Sequence, residues 1–109
     1  MNLHIEDFKE GQVTVLKLAG EIDAYTAPQL KEKLLGLLRE ENADVQVDLE
    51  KVNYMDSTGL GVFISGLKTA NEVNSSFTLV NLQENVYRLF NITGLNDVMK
   101  IENTIRGGM

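Results

Sequence analysis

The sequence predicts a single α/β domain built on a mixed β-sheet, and three observations support this prediction. Two apolar-rich runs near the start are separated by a glycine-containing break, which is typical of a β-hairpin. The apolar spacing then changes from the period of strands to the period of helices. Strand, helix and strand follow one another, which favours parallel strands with right-handed crossovers. At 109 residues the chain has the length of one domain, which we assign to 1–109.

The first two strands come from the start of the chain. Leu3 and Ile5 alternate with polar residues and Phe8 follows, so we expect a strand over 2–8. A polar break around Gly11 precedes the second β-branched run, which begins at Val13. Together they predict an N-terminal hairpin.

A helix and a strand follow the hairpin. Leucines at helical spacing predict a helix at about 26–41, packed on the sheet through one face. Thr26 is its expected N-cap, and Pro28 lies in the first turn, where a missing N–H is tolerated. Strict alternation over 44–49 predicts the next strand.

The second half of the chain continues the alternation of helices and strands. Helical spacing recurs twice, the second time before a glycine stop, and short apolar runs separate and follow the helices. We expect a helix over 58–74, a strand over 77–80, a short helix over 84–92 that ends near Gly94, an edge strand over 98–101, and fraying of the last residues.

Composition excludes several classes of function. The net charge is −6, so a nucleic-acid phosphate backbone would repel the chain. There are no cysteines, and His4 is the one histidine, which excludes thiolate and multi-histidine metal sites. No apolar run approaches the roughly 18 residues of a membrane span, and the start does not resemble a signal peptide. We therefore expect a cytoplasmic protein without a metal or cofactor, which binds neither nucleic acid nor membrane.

The segment 51–61 breaks the local rules, because a helix begins in it despite its glycines. Gly59, Gly61 and then Gly66 each cost a helix interior roughly 1 kcal/mol relative to alanine. Close packing on the sheet is one explanation, and for Gly66 it is as good as the alternative. For Gly59 and Gly61, beside a cluster of hydroxyl residues, we favour bare backbone that receives a docking partner.

Three consecutive residues compete for one capping role at this helix start. Asp56, Ser57 and Thr58 could each accept a hydrogen bond from a first-turn amide, so two of them have no structural task. Asp23 and Asp56 each follow a strand and could converge at one sheet edge. A serine nucleophile would need a base, yet His4 lies on the first strand, and no nucleophile elbow or phosphate-binding loop is present. We do not expect an enzyme.

A phosphorylatable hydroxyl accounts for this segment better than catalysis does. Ser57 would be exposed at a helix N-terminus, where the macrodipole and free amides favour a phosphate. Phosphorylation would add about −1.5 to −2 charges beside Asp56. The helix would tolerate the added charge, and a docked partner would not.

Four motifs in this order resemble the STAS domains of bacterial anti-sigma factor antagonists. They read GEID at 20–23, APQL at 27–30, YMDSTGLG at 54–61 and LFNITGL at 89–95. The similarity is greatest to the general-stress antagonists of Gram-positive bacteria, with sporulation-type paralogues as the alternative.

The resemblance implies a partner-switching protein. In the family, the unphosphorylated antagonist binds an anti-sigma factor that is also a serine kinase, and so frees the sigma factor. The kinase uses its own ATP to phosphorylate the serine that matches Ser57, the pair separates, and a PP2C-type phosphatase restores the antagonist. The residue matching Asp23 contacts the partner or supports phosphorylation. The docking loop and helix start match Asp56, Thr58, Gly59 and Leu60, and our reading of the glycines adds Gly61.

Two other interpretations remain open at this point. One is a STAS-like scaffold within a larger sensory complex, where phosphorylation would tune assembly. The other is a receiver domain phosphorylated on Asp56, although receivers resemble a fivefold repeat of strand and helix, and this chain begins with a hairpin. The free protein is expected to be a monomer.

Overall fold

The computed structural model describes residues 2–102, which form a five-stranded sheet with helices packed on it. The strands lie in the order β1-β2-β3-β4-β5; β1 and β2 are antiparallel, and the later neighbours are parallel. This is the mixed sheet that the sequence predicts. The elements are β1 (Leu3–Glu10), β2 (Val13–Ile22), α1 (Ala27–Leu38), β3 (Asp44–Met55), α2 (Ser57–Val73), β4 (Ser76–Val80), α3 (Glu84–Thr93), a 3-10 turn (Leu95–Asp97) and β5 (Lys100–Glu102).

Most predicted boundaries lie within one or two residues of the observed ones, and two differ more. The first helix ends at Leu38, not near 41. The third strand does not stop at 49 but runs to Met55. The last strand covers 100–102 instead of 98–101, because a 3-10 turn precedes it and leaves Val98 exposed. The predicted fraying concerns residues outside the described range.

The helices bury their apolar faces on one side of the sheet. Phe63 of α2 lies at the centre of this core, with its ring centroid 6.3 Å from that of Phe77 and 6.2 Å from that of Phe90. The three rings join α2, β4 and α3. Side chains on the other side of the strands, among them Lys17, Gln46 and Asp48, are partly exposed. No helix within residues 2–102 is both long and apolar enough to cross a bilayer.

Irregular pairing with β2 extends β3 beyond its alternating part. The register shifts between Lys17 and Ala19 and again between Gly20 and Glu21. Each shift inserts an extra residue into β3, so its buried positions follow at intervals of two, two, three and three. These positions are Val45, Val47, Leu49, Val52 and Met55. With these two bulges, β3 extends into segment 51–61, the glycine-containing segment in which the next helix begins.

The receiver interpretation is wrong, because the fold begins with a hairpin. β1 passes directly into the antiparallel β2, and no helix lies between them.

Candidate functional site

The candidate site lies where β2 and β3 end side by side. Ile22 and Met55 are the last residues of these strands and pair with each other. The Asp56 amide donates a hydrogen bond to the Ile22 carbonyl at 3.3 Å. Asp23 and Asp56 therefore leave the sheet beside each other, which confirms the expectation that these acids converge at one sheet edge.

Asp56 is the residue that caps α2. Its Oδ1 accepts hydrogen bonds from the amides of Thr58 at 2.9 Å and Gly59 at 3.4 Å. Ser57 and Thr58 are exposed, and neither hydroxyl is hydrogen-bonded to any residue of the range 2–102. The structure also corrects the expectation of amides left free for a phosphate, because the Asp56 carboxylate occupies two of them.

Asp23 is 7% exposed and holds the loop between β2 and α1. Its Oδ1 accepts from the amides of Tyr25 at 2.9 Å and Thr26 at 3.1 Å. The Thr26 hydroxyl donates to the Glu21 carbonyl at 2.9 Å and accepts from the Asp23 amide at 3.0 Å. Thr26 therefore stands at the predicted N-cap position, but its side chain closes the loop and does not cap the helix.

The second carboxylate oxygen of Asp23 differs from the first in its contacts. Oδ2 has no hydrogen bond to another described residue. Within that part of the chain no fully buried side-chain oxygen lacks a hydrogen bond, so Oδ2 is not fully buried. Asp23 thus combines a structural oxygen with one that the loop does not use.

Replacing Asp23 with alanine is expected to lower the free energy of unfolding by about 1–3 kcal/mol, because it leaves the amides of Tyr25 and Thr26 without their acceptor. Asp23→Asn keeps an oxygen at that place and is expected to lose much less stability. Urea unfolding followed by circular dichroism measures both changes. Equal destabilisation of the two variants would contradict the role given to Oδ1.

Gly59 is buried against the sheet, which corrects its assignment as exposed backbone. A Cβ built on it would lie 2.5 Å from the Met55 Cγ and 2.8 Å from the Ile22 Cγ2. These distances leave no room for a side chain, so close packing explains this glycine.

Of the two other glycines of α2, Gly66 is explained by close packing and Gly61 by exposed backbone. A Cβ on Gly66 would lie 2.9 Å from the Leu34 Cδ2 and 3.1 Å from the Phe77 Cε2, so Gly66 is also a packing residue. A Cβ on Gly61 would meet no atom within 4 Å, and this residue is exposed. Only Gly61 fits the interpretation of bare backbone beside Ser57.

The side chains next to the site lie partly in the core and partly at the surface. Leu60, expected as part of the docking helix start, is 6% exposed and belongs to the core, so its side chain packs beneath the helix start. Met55 is also a core residue, at 5% exposure. Tyr54 is 47% exposed, because the bulge beside it turns the residue out of the core.

The structure adds exposed apolar side chains that sequence reasoning missed. Tyr25 is 86% exposed on the loop after β2, and Ile64 is exposed on α2 two turns after Ser57. Residues four and seven positions apart lie on one helix face, so Gly61 and Ile64 share the face of Ser57. We define the docking surface as Tyr25, Tyr54, Ser57, Gly61 and Ile64. The sequence signal that could have indicated Tyr25 is an aromatic residue between Asp23 and Thr26, in the loop after β2.

Among the described residues, no cation forms an ion pair with the acids of this edge. Within residues 2–102, Lys33 pairs with Asp7 and Arg88 with Glu84, and His4 Nε2 lies 3.2 Å from Glu6 Oε1; none of these contacts includes Asp23 or Asp56. The same residues contain no cluster of three or more side chains that could hold a metal ion.

Comparison with known proteins finds one matching family model and relatives that are similar over nearly the whole chain. The family model described as "STAS domain" matches residues 4–107. The anti-sigma-B factor antagonist of Bacillus subtilis (strain 168) is 44% identical over 110 residues, covering 100% of this chain and 99% of that protein. The anti-sigma-B factor antagonist of Staphylococcus epidermidis is 43% identical over 101 residues, covering 93% and 94%.

Solved structures share the fold. A crystal structure from Thermotoga maritima, described as a candidate anti-sigma factor antagonist, has a TM-score of 0.84 and 27% identity, with 96% of this chain and 91% of that chain covered.

Proposed function

This chain belongs to the STAS domain family, and from its full-length similarity to anti-sigma-B factor antagonists we propose that it is an anti-sigma factor antagonist. It is a regulatory protein and not an enzyme. In its unphosphorylated form it binds an anti-sigma factor and releases the sigma factor, which promotes transcription that depends on that sigma factor. Phosphorylation of Ser57 by the anti-sigma factor, acting as a serine kinase with its own ATP, ends this binding.

The observation that carries the proposal is the state of the Ser57 hydroxyl. Ser57 is the first residue of α2 and is exposed, and its hydroxyl has no hydrogen bond to another described residue. Asp56 already caps the helix, so the fold does not need this hydroxyl. A kinase can therefore phosphorylate this hydroxyl without unfolding any part of the domain.

Electrostatics explains how phosphorylation ends binding. A phosphoserine adds about −1.5 to −2 charges at neutral pH. It stands beside Asp56, whose carboxylate already accepts from two first-turn amides and has no ion pair within residues 2–102. Covering this charge in an interface without a partner cation costs about 2–5 kcal/mol, or roughly 30- to 4,000-fold in affinity.

The docking surface supplies the apolar contact area around the switch. Tyrosine is enriched among the residues that dominate binding energy, and Tyr25 and Tyr54 flank the sheet edge from which Ser57 projects. Gly61 lets a partner approach the helix backbone one turn beyond Ser57. The second carboxylate oxygen of Asp23, which the loop does not use, and the hydroxyl of Thr58 are polar contacts at the rim.

The proposal extends to how the protein is reset and where it acts. A PP2C-type phosphatase removes the phosphate from Ser57, which is accessible on the surface. We place the free protein in the cytoplasm as a monomer.

Affinity capture from a lysate of the organism of origin tests the proposal. The baits are Ser57→Ala, Ser57→Glu and Asn71→Glu, the last of which adds the same acid to an exposed position farther along α2. A small ATPase of the histidine-kinase type is expected on the Ser57→Ala and Asn71→Glu baits and to be depleted on Ser57→Glu. Recovery of a large sensor assembly on all baits, without such an ATPase, would favour the scaffold interpretation instead.

A further inference from the structure

Among residues 2–102, no strand neighbours the second half of β3 on the side of β4. β4 pairs with β3 only from Asp44 to Asp48, whereas β3 continues to Met55 and pairs with β2 to its end. Strand carbonyls on an unpaired edge need other donors, from side chains or water. The carbonyls on this edge of segment 49–55, which immediately precedes Asp56 and Ser57, therefore need hydrogen-bond donors from outside the sheet.

Two amide side chains at the start of α3 supply these donors. Gln83 Nε2 donates to the Glu50 carbonyl at 2.8 Å, and Asn85 Nδ2 donates to the Asn53 carbonyl at 3.0 Å. These carbonyls belong to residues at the two bulges of β3. Pairing with β2 passes from Asp48 to residue 51 and later from residue 52 to residue 54, so Leu49 and Glu50 together oppose one residue of β2, and Asn53 is left out of the register.

The helix that carries the two amides is fixed to the core. Val86 and Phe90 of α3 are 1% and 0% exposed, and the Phe90 ring contacts the Phe63 ring of α2. Because β-bulges bend a strand, a donor that holds the bulge also sets the direction in which the strand leaves. Gln83 and Asn85 thus connect a buried helix to the two bends that precede Ser57.

We propose that Gln83 and Asn85 are positioning residues for the switch at Ser57. They hold the bulged end of β3, and with it Tyr54, in the orientation that the anti-sigma factor binds. Both bonds lie at the surface, so their loss costs local order more than global stability. This inference rests on the proposed function, since it concerns the partner of the same site.

The test compares isosteric changes on one helix. Asn85→Asp keeps the side-chain volume but replaces the donating amide by a carboxylate, which faces the Asn53 carbonyl. Asn91→Asp is the matched control, because Asn91 accepts a bond from Asn96 at 3.2 Å and aspartate keeps that acceptor. Asn85→Ala separates the lost bond from the added charge.

Two measurements are made on each full-length variant. The first is steady-state phosphorylation by the purified anti-sigma factor kinase that the wild-type chain captures. We expect Asn85→Asp and Asn85→Ala to raise KM about 3- to 10-fold with little change in kcat, and Asn91→Asp to match the wild type. The second is amide hydrogen exchange, which should become faster over 49–56 in the Asn85 variants while the melting temperature stays within a few degrees.

Each outcome either supports the proposal or overturns it. An unchanged KM in both Asn85 variants would overturn it, whether or not hydrogen exchange becomes faster, because the bonds would then be structural only. An equal rise of KM in Asn91→Asp and Asn85→Asp, without one in Asn85→Ala, would assign the effect to charge and also overturn it. Failure of the proposed function is distinguishable, since the wild-type chain itself would then not be phosphorylated on Ser57.

Discussion

Replacing Ser57 with glutamate is expected to weaken binding to the anti-sigma factor about 30-fold or more, while Ser57→Ala binds as the wild type does and accepts no phosphate. The Ser57 side chain makes no hydrogen bond to another described residue, so neither change removes a contact that stabilises the fold. An acid in the first turn of a helix is also favourable to the macrodipole. We therefore expect the loss to arise at the interface, where the added carboxylate lies beside Asp56, which has no ion pair within residues 2–102.

Isothermal titration calorimetry with the purified anti-sigma factor measures these affinities. Asn71→Glu is the control, because it adds the same charge to α2 about 21 Å along the helix axis from Ser57. Equal losses for Asn71→Glu and Ser57→Glu would attribute the effect to net charge and not to the switch. Phosphosite mapping of the wild-type chain separates Ser57 from the neighbouring hydroxyl of Thr58, and phosphate on Thr58 alone would refute the assignment.

The architecture was accessible from the sequence because its periods are clear. Leucines at helical spacing define α1, and a glycine break between two apolar runs defines the hairpin. The second half of β3 was not accessible in this way, because two bulges change the spacing of buried residues from two to three. The donors that hold these bulges come from Gln83 and Asn85, far along the chain, and no local pattern indicates such bonds.

The site was predicted in part, and the errors have one physical source. The motif located Ser57 and Asp56 correctly at the helix start, but Gly59 was assigned to exposed backbone, whereas it is buried against Met55 and Ile22. Gly59 and Gly66 are seven residues apart, or nearly two full turns, so they lie on one face. Counting them as small core residues would have given the correct face and placed Gly61 opposite to it.

This difference between the glycines leads to the second large effect. Gly59→Val is expected to lower the free energy of unfolding by about 3 kcal/mol, because its Cβ would lie within 3 Å of Met55 and Ile22 side-chain atoms that are themselves packed. A loss of this size lowers the melting temperature of a domain of about 100 residues by more than 10 °C. Differential scanning calorimetry measures the shift.

Gly61→Val should produce the opposite pattern, because the space around Gly61 is open. Valine has a higher helix propensity than glycine, so the melting temperature should stay the same or rise slightly. Its two methyl groups would stand on the docking surface one turn from Ser57, where we expect a loss of affinity for the anti-sigma factor of about 10-fold, as one badly packed residue costs an interface about 1–3 kcal/mol. Gly36→Val is the control on α1, since Gly36 also has open space around it and lies outside the docking surface. If Gly61→Val unfolds the protein, or if Gly36→Val weakens binding equally, then Gly61 is not the approach point for the partner and the face assigned to α2 is wrong.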